Sequence, residues 1–353
     1  MSLIPPTDDQ GLGEGYHSPQ LHVAVRLNTN EAPLPPPQAW VDELQAEVGR
    51  IQFNRYPDRD AAELRAALAA FHGVDPANVF CANGSNEVLQ TLLLTYGGPG
   101  RTAAVFEPTY ALHGHIARIT RTAVVEGERN ADFTLDVVDV KRVLSEHRPE
   151  VTFLCSPNNP TGRAEPADVV TQVLDLAPGL LVVDEAYGQF AAWSALPLVT
   201  GDRPLAVVRT FSKTWSMAAA RLGYLVGPSQ LVAELEKRVL PYHLDAVKQA
   251  AGRLALSYRA EMEARVAMLV EERGGLAAAL RDLPVETWPS DANFILFRPL
   301  HVEGHEVWRG LLERSVLIRN CASWPRLAGC LRVTVGTKEE NSAFLAALAE
   351  VLA

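Results

Sequence analysis

Long apolar runs and an excess of basic residues are both absent from the sequence. No stretch approaches the roughly 20 apolar residues that a membrane-spanning helix needs. Lys and Arg together number 32 against 42 Asp and Glu, and the net charge is −10. Because the acidic residues are scattered along the chain, binding to a nucleic-acid backbone is disfavoured. We therefore expect no membrane and no nucleic acid as partner, and an anionic ligand needs a local basic pocket.

Cysteine is scarce, and a signal peptide is not visible. Cys81, Cys155, Cys321 and Cys330 form no Cys-x-x-Cys pair, and no histidine stands at metal-ligand spacing from them. The first residues have neither a basic nor an apolar segment of the kind that directs secretion. We expect a cytoplasmic protein with reduced thiols, no disulfide framework and no bound metal.

The chain has the length and composition of a two-domain globular protein. Of its 353 residues, 48% are apolar and 21% are charged, as in ordinary soluble domains. Residues 1–40 include a polar, proline-rich stretch and predict an N-terminal arm. Residues 41–240 predict a large domain, and residues 241–353 a small α+β domain.

The apolar pattern of the large domain predicts a mostly parallel sheet with helices on both faces. Short, continuous, β-branched runs alternate with segments of helix length, which is typical of strands buried on both sides. These runs are 103–106, 122–125, 151–155, 180–183, 205–208 and 222–226. Helices are predicted at 61–71 and from Ser85. The small domain predicts a helix at 260–283, strands at 293–297, 315–318 and 331–335, and a last helix with a capping box at Thr337 and Glu340.

Polar side chains follow three of the predicted parallel strands. Asn159 follows 151–155, Asp184 and Tyr187 follow 180–183, and Lys213 follows 205–208. Taken singly, each segment has an ordinary explanation: Asn-Pro-Thr-Gly as a turn, Asp-Glu as a helix cap, Ser-Lys as solvated surface. Because the carboxyl ends of parallel strands meet at one edge of a sheet, we expect these groups to converge there.

The converging groups match the needs of pyridoxal phosphate (PLP). Lys213 supplies the amine that holds the cofactor as a Schiff base, and Asp184 the carboxylate that keeps the pyridine nitrogen protonated. Tyr187 and Asn159 are candidate donors to the phenolate oxygen. Gly84, Ser85 and Asn86 precede an apolar helix, whose N-terminus can bind the phosphate; the alternative is that Ser85 is an ordinary N-cap.

These segments together resemble the histidinol-phosphate aminotransferase family of the fold-type I aminotransferases, over nearly the whole chain. The resemblance rests on the segments 27–31 (LNTNE), 55–58 (RYPD), 83–87 (NGSNE), 108–110 (PTY), 157–162 (PNNPTG), 184–187 (DEAY), 212–213 (SK) with Arg221, and 332–336 (RVTVG). It implies an α/β architecture, the PLP-dependent transferase fold type I, with a large domain built on a mostly parallel seven-stranded sheet and a smaller α+β domain.

The resemblance also implies roles for individual cofactor-binding residues. Tyr110 would stack on the cofactor ring, and Ser212 and Arg221 would join Ser85 and Asn86 at the phosphate. Many members have Asp where this chain has Asn86. Tyr56 would reach the same phosphate from the partner subunit, so we expect a homodimer with Tyr56 acting in trans.

The substrate-binding residues are implied in the same way. Arg332 would bind the anionic end of the substrate, with Arg319, Asn30 and Tyr16 assisting, so the N-terminal arm would contribute to the small domain and the active site. For Tyr16 the alternative is an exposed aromatic residue on a loose arm. The segment 214–220 is less glycine-rich than is common in the family, which leaves its loop geometry open.

We expect a ping-pong aminotransferase that acts on histidinol phosphate as amino donor with 2-oxoglutarate, and that forms imidazole acetol phosphate and glutamate in histidine biosynthesis. The alternatives are an aromatic-amino-acid aminotransferase and a phosphothreonine decarboxylase. A PLP-binding regulator without turnover is disfavoured, because the chain has no basic helical segment for DNA binding.

Overall fold

The computed structural model describes residues 19–353. Within this range the chain forms two β-sheets, a large one of seven strands and a small one of five. In chain order the strands are β1 Val25–Leu27, β2 Val79–Ala82, β3 Thr102–Glu107, β4 Ala123–Glu128, β5 Val151–Cys155, β6 Leu180–Asp184, β7 Leu205–Thr210, β8 Gly223–Val226, β9 Val285–Thr287, β10 Phe294–Pro299, β11 Val316–Asn320 and β12 Leu331–Thr334.

Helices cover both sheets, and their ends carry recognisable signals. Helix α2 ends at Gly73, which is left-handed with φ +68°, a backbone conformation that glycine adopts easily. The predicted capping box of the last helix is confirmed, with Thr337 and Glu340 exchanging hydrogen bonds. The helices are α1 Gln38–Val48, α2 Ala62–His72, α3 Ser85–Tyr96, α4 Leu112–Ile119, α5 Val137–His147, α6 Ala167–Leu176, α7 Ser229–Glu236, α8 Ala246–Ala255, α9 Arg259–Arg281, α10 Gly304–Glu313 and α11 Lys338–Leu352.

The large sheet has the order β2-β8-β7-β6-β5-β3-β4. Its neighbouring strands are parallel except for β8, which is antiparallel to both β2 and β7. Every residue of β5, β6 and β7 is buried, because helices pack on both faces. The predicted mostly parallel seven-stranded sheet is confirmed.

The small sheet has the order β1-β11-β12-β10-β9. Its core lies against α9, α10 and α11 and includes the fully buried rings of Phe294, Phe297 and Phe344. Strand β1 is parallel to β11, so the N-terminal part of the chain is part of a sheet made otherwise from the C-terminal part. This pairing carries the residues after β1 toward the carboxyl edge of the large sheet.

Three strands were not predicted, β1, β2 and β9, and all three are short. Strand β1 has three residues, fewer than a pattern of alternation can reveal. Strand β2 has four residues and follows the 3-10 turn Pro76–Asn78. Strands β1 and β2 are held by pairing with the distant strands β11 and β8, and the three residues of β9 pair with β10.

Three further features bear on the expectations from composition. Of the helices between residues 19 and 353, none is long and apolar enough to cross a membrane. In the same range no three His, Cys, Asp or Glu side chains gather as metal ligands. The four cysteines are all buried and unpaired.

Candidate active site

A cavity of about 350 Å³ lies at the carboxyl ends of β5, β6 and β7, with β12 of the small sheet on its other side. This is where ligands bind in open parallel sheets. The predicted site residues that line it are Asn30, Ser85, Asn86, Tyr110, Asn159, Asp184, Tyr187, Ser212, Lys213, Arg221 and Arg332. The structure therefore brings together groups that are spread over some three hundred positions of the sequence.

One end of the cavity is suited to an anion. Ser85 is the first residue of α3, where backbone N–H groups lack partners within the helix and favour negative charge. Gly84 has φ +80°, and a Cβ there would lie 2.7 Å from Arg221 Nη2, so glycine is needed for this approach. Arg221 Nη1 donates to Ser212 Oγ at 3.3 Å. Gly84 thus leaves room for the Arg221 guanidinium. The Ser212 hydroxyl and the Arg221 guanidinium meet beside the first residue of α3.

Asp184 is fixed through both carboxylate oxygens. Its Oδ1 accepts from the Ala186 N–H at 3.0 Å, and its Oδ2 is 3.0 Å from His113 Nε2, with both side chains fully buried. His113 Nδ1 has no hydrogen-bond partner within residues 19–353, so the proton of a neutral His113 belongs on Nε2, which donates to Asp184. The imidazole stacks on Phe153, with ring centroids 4.8 Å apart.

His113 was missed by the sequence analysis. The one available signal was its spacing of three residues from Tyr110, which lies just before α4, whereas His113 lies in the first turn of that helix. The Tyr110 ring meets His113 edge-on, with centroids 5.3 Å apart, and Tyr110 Oη donates to Asn86 Oδ1 at 3.2 Å. Asn86 is thereby tied to the tyrosine that is expected to stack on the cofactor.

Lys213 is a buried amine in a positive environment. Its Nζ donates to the Thr29 carbonyl oxygen at 2.9 Å. Burial, and then the charges of Arg332 and Arg221, lower the pKa of Lys213 to about 7. A lysine with this pKa is largely neutral in mildly alkaline solution, and the neutral amine is the form that attacks a carbonyl carbon.

Tyr187 is connected to both sheets. Asn30 Nδ2 donates to Tyr187 Oη at 2.9 Å, and Asn30 Oδ1 accepts from Thr334 Oγ1 at 3.1 Å. Burial raises the pKa of the Tyr187 phenol, so the hydroxyl keeps its proton and can donate it in a hydrogen bond. Lys213 Nζ lies 5.7 Å from the centre of the Tyr187 ring, which places amine and phenol in one corner of the cavity.

Arg332 joins the small sheet to the cofactor side of the cavity. Its Nη1 donates to Asn159 Oδ1, and its Nη2 donates to the Asn28 carbonyl oxygen at 3.0 Å. Its Nε is buried and has no partner in the described part of the chain. The bond to Arg332 uses the Asn159 carbonyl oxygen, so the Asn159 amide nitrogen is the group that can donate to a ligand.

The remaining predicted residues do not line the cavity. Arg319 lies directly opposite Arg332 in the β11–β12 pair and places its guanidinium carbon 5.0 Å from the centre of the Trp324 ring. Tyr56 is 80% exposed and stacks on Tyr242 with centroids 4.5 Å apart. Tyr16 lies outside the described residues.

The loop after Lys213, whose geometry the sequence left open, contains left-handed residues that are not glycine. Ser216 and Arg221 adopt left-handed backbone with φ +56° and +52°, so non-glycine residues take these conformations here. Arg265 of α9 donates to the Thr214 carbonyl oxygen at 3.0 Å. The loop is thus held by contacts from outside it.

The arrangement fits pyridoxal phosphate. A helix start with a hydroxyl and a guanidinium suits its phosphate, a buried amine suits its aldehyde, and a fixed carboxylate suits its ring nitrogen. Glycine at position 84 leaves room for the Arg221 guanidinium at this end of the cavity, since a Cβ there would lie 2.7 Å from Arg221 Nη2. The donor set also contains a protonated phenol for the cofactor's ring oxygen.

Comparisons with known proteins agree with this chemistry. A family model described as "Aminotransferase class I and II" matches residues 23–348. The histidinol-phosphate aminotransferase of Nocardia farcinica is 45% identical over 342 residues, covering 94% of this chain and 87% of that protein. The one of Corynebacterium glutamicum (strain ATCC 13032) is 41% identical over 362 residues, covering 100% and 98%. The crystal structure of histidinol-phosphate aminotransferase from Sinorhizobium meliloti in complex with pyridoxal-5'-phosphate has the same fold, with a TM-score of 0.85 at 21% identity over 94% of this chain and 91% of that one.

These matches confirm the predicted fold type I and the resemblance drawn from the motifs. They extend along nearly the whole sequence and include both sheets. The chain belongs to the class I and II aminotransferases and, within them, to the histidinol-phosphate aminotransferase family.

Proposed function

We propose that the enzyme transfers the amino group of histidinol phosphate to 2-oxoglutarate, forming imidazole acetol phosphate and glutamate, in histidine biosynthesis. The names of relatives at 41% and 45% identity support this reaction. The observation that carries it is the pair Arg319 and Arg332, which are buried and directly opposite each other on β11 and β12. Of the two, only Arg332 lines the cavity. Arg319 is its neighbour on the adjacent strand.

The cofactor in this proposal is pyridoxal phosphate, which supplies an aldehyde for amines and a ring that withdraws electrons from the bound substrate. Ser85, Ser212 and Arg221 hold its phosphate. Asp184 keeps its ring nitrogen protonated, and the contact with His113 keeps the carboxylate in place. Tyr110 packs on the ring.

Lys213 then has two tasks. Its Nζ would hold the cofactor through the aldehyde carbon in the resting enzyme, and the amine of the incoming donor would take its place. The freed Nζ would then be the base that accepts the proton of the donor's α-carbon and the acid that returns it to the product, which requires a neutral amine at the start. A pKa of about 7 supplies that form. Because one product leaves before the keto acid enters, the kinetics are ping-pong.

The paired arginines account for the choice of donor. Guanidinium groups on directly opposite residues of an antiparallel pair together favour a dianion placed close to both. Histidinol phosphate has no α-carboxylate, so its phosphate takes the place where an amino acid puts that group. The planar fork of each guanidinium suits phosphate oxygens.

Replacing Arg319 with alanine is expected to raise KM for histidinol phosphate by about ten- to a hundredfold, since each charge-assisted bond contributes roughly 1.5–3 kcal/mol. An aromatic amino acid, held mainly through Arg332, should suffer less. Steady-state kinetics of wild type and Arg319→Ala on histidinol phosphate and phenylalanine measure this difference.

Arg298→Ala is the matched control. Arg298 stands on β10 of the same sheet, is exposed, and pairs with Glu286 at the surface, so its removal should leave both KM values unchanged. If phenylalanine is the better substrate of the wild type, or if Arg319→Ala damages both donors equally, the aromatic aminotransferase becomes the better assignment.

We further propose a homodimer in which Tyr56 acts on the partner's cofactor phosphate. Phe53, Tyr56 and Leu240 are each more than 70% exposed, and Tyr242 stacks on Tyr56. Large apolar side chains exposed next to each other, as Tyr56 and Tyr242 are, are typical of interaction sites. Their exposure in a single chain supports contact with a second copy.

Mixed dimers test the action of Tyr56 in trans. Co-expression of Tyr56→Ala with Lys213→Ala should restore up to roughly a quarter of the sites, because half of randomly mixed dimers are heterodimers and each regains one of its two sites. Asp184→Asn with Lys213→Ala is the control and should restore none, since both residues act within one subunit. A verified heterodimer of the first pair without activity would show that Tyr56 does not act across the interface.

We also propose three segments: an N-terminal arm of residues 1–40, a large domain of residues 41–240 and a small domain of residues 241–353. The proposed location is the cytoplasm. The pairing of β1 with β11 supports an N-terminal segment that contributes to the small domain. Four buried, unpaired cysteines support a reducing compartment.

A further inference from the structure

The loop of residues 321–330 connects the strands that carry Arg319 and Arg332. Three consecutive turns shape it: Trp324 N–H donates to the Cys321 carbonyl at 3.0 Å, Leu327 N–H to the Trp324 carbonyl at 3.2 Å, and Cys330 N–H to the Leu327 carbonyl at 2.9 Å. Trp324 is 8% exposed. A loop built in this way holds its tryptophan in one place.

The Trp324 ring supports the guanidinium of Arg319. The Arg319 guanidinium carbon lies 5.0 Å from the ring centre, which is a cation–π distance. The ring itself belongs to an apolar cluster with Phe133, Leu296 and Leu327. Stacking uses the flat face of the guanidinium and none of its N–H donors, so it fixes the plane of the group without competing for an anion.

Residue 324 is not a tryptophan for the sake of a hydrogen bond from its indole nitrogen. Trp324 Nε1 is buried and has no hydrogen-bond partner among residues 19–353. A buried donor without a partner is costly, so an aliphatic side chain would suit this cluster better if packing were its whole purpose. The aromatic face toward Arg319 is what an aliphatic residue could not supply.

We propose that Trp324 is a positioning residue that sets the preference for a phosphate-bearing donor by fixing Arg319 opposite Arg332. The inference rests on the function proposed above and deepens it. An arginine side chain free to change rotamer loses that freedom when it binds an anion. By stacking on Arg319, Trp324 restricts its rotamers before the donor binds, so the entropy cost of binding is smaller. Only a donor that contacts Arg319 binds more tightly as a result.

The test uses single-turnover reactions of the PLP-loaded enzyme with one donor at a time, followed by the cofactor's absorbance. Trp324→Met fills the apolar space without an aromatic face and should raise the half-saturating concentration of histidinol phosphate by roughly three- to thirtyfold, the range of a cation–π contact. The limiting rate should stay within about twofold, and the phenylalanine reaction should be unchanged. Trp324→Phe keeps a ring face and should recover most of the loss.

A double-mutant cycle with Arg319→Ala separates positioning from packing. If Trp324 acts through Arg319, the double variant Trp324→Met/Arg319→Ala is no worse with histidinol phosphate than Arg319→Ala alone. Additive losses, equal losses with both donors, or no loss in Trp324→Met would each overturn the proposal.

A substitute variant and a wild-type measurement separate a failure of the role of Trp324 from a failure of folding or of the proposed function. If Trp324→Met does not fold, as shown by its melting temperature, Arg319→Lys serves instead: it keeps the charge but loses the plane, and it should weaken binding of histidinol phosphate alone. Wild type is measured first. A wild type that does not react with histidinol phosphate contradicts the proposed function, whereas a reactive wild type with insensitive variants contradicts only the role of Trp324.

Discussion

Lys213→Ala is expected to lower turnover at least about ten-thousandfold, the upper end of what a positioned acid–base group contributes, and to keep the fold. In the proposed mechanism Lys213 is both the covalent attachment of the cofactor and the proton carrier, and the variant would lose both. The groups proposed to hold the phosphate, Ser85, Ser212 and Arg221, are unchanged, so we expect it to retain the cofactor without a covalent bond. Activity assays and absorbance spectra of the purified variant measure both effects.

The pKa of Lys213 also sets an expectation for stability. A lysine whose pKa is about 7 when folded and about 10.4 when unfolded destabilises the fold below the higher value, and the cost grows as the pH falls toward the lower one. Without cofactor, Lys213→Ala should therefore melt no lower than wild type at neutral pH. Borohydride reduction of the wild type followed by peptide mapping is the control, and a label on any other lysine would refute the assignment.

Asp184→Asn is expected to lower the rate by about a hundred- to a thousandfold or more, as for other groups placed to stabilise charge. The amide keeps the shape of the side chain and can still accept from the Ala186 N–H, but it carries no negative charge for the cofactor's ring nitrogen. Single-turnover rates of variant and wild type at saturating donor measure the loss.

Glu185→Gln is the matched control, because Glu185 is the next residue and is equally buried. Its carboxylate binds Arg209 and Ser194 rather than the cavity, so its loss should lower the melting temperature more than the rate, as when a buried ion pair is broken. A fully active Asp184→Asn would contradict the orientation of the cofactor ring proposed here.

The residues that follow strands were the predictable part of the site. Asp184 and Lys213 could be placed together because apolar runs mark β6 and β7, and the ends of parallel strands meet. Their roles remain predictions until the variants are measured. His113 could not be found in this way, because its contact with Asp184 spans 71 positions and depends on how α4 packs on the sheet.

The small sheet was harder to predict than the large one. Its strands β10 to β12 have apolar patterns, but the three residues of β1 have none that identifies their partner. The sequence motifs indicated Arg332 and Arg319 as substrate residues without showing that they are opposite each other. Register between distant strands is set by tertiary packing, so a single sequence carries little information about it.

The pairing of β1 with β11 has a consequence for biosynthesis of the chain. Asn30 N–H donates to Thr334 Oγ1 across 304 positions. The wall of the cavity that contains this hydrogen bond therefore cannot form until residue 334 has left the ribosome. Proteins emerge N-terminal end first, and the large sheet, complete at Val226, can assemble while β1 is still without its neighbour. Closing so long a loop makes the small sheet a late step of folding. A nascent chain could therefore bring Lys213 and Asp184 to the edge of the large sheet before Arg319 and Arg332, which are proposed to bind the donor, have paired.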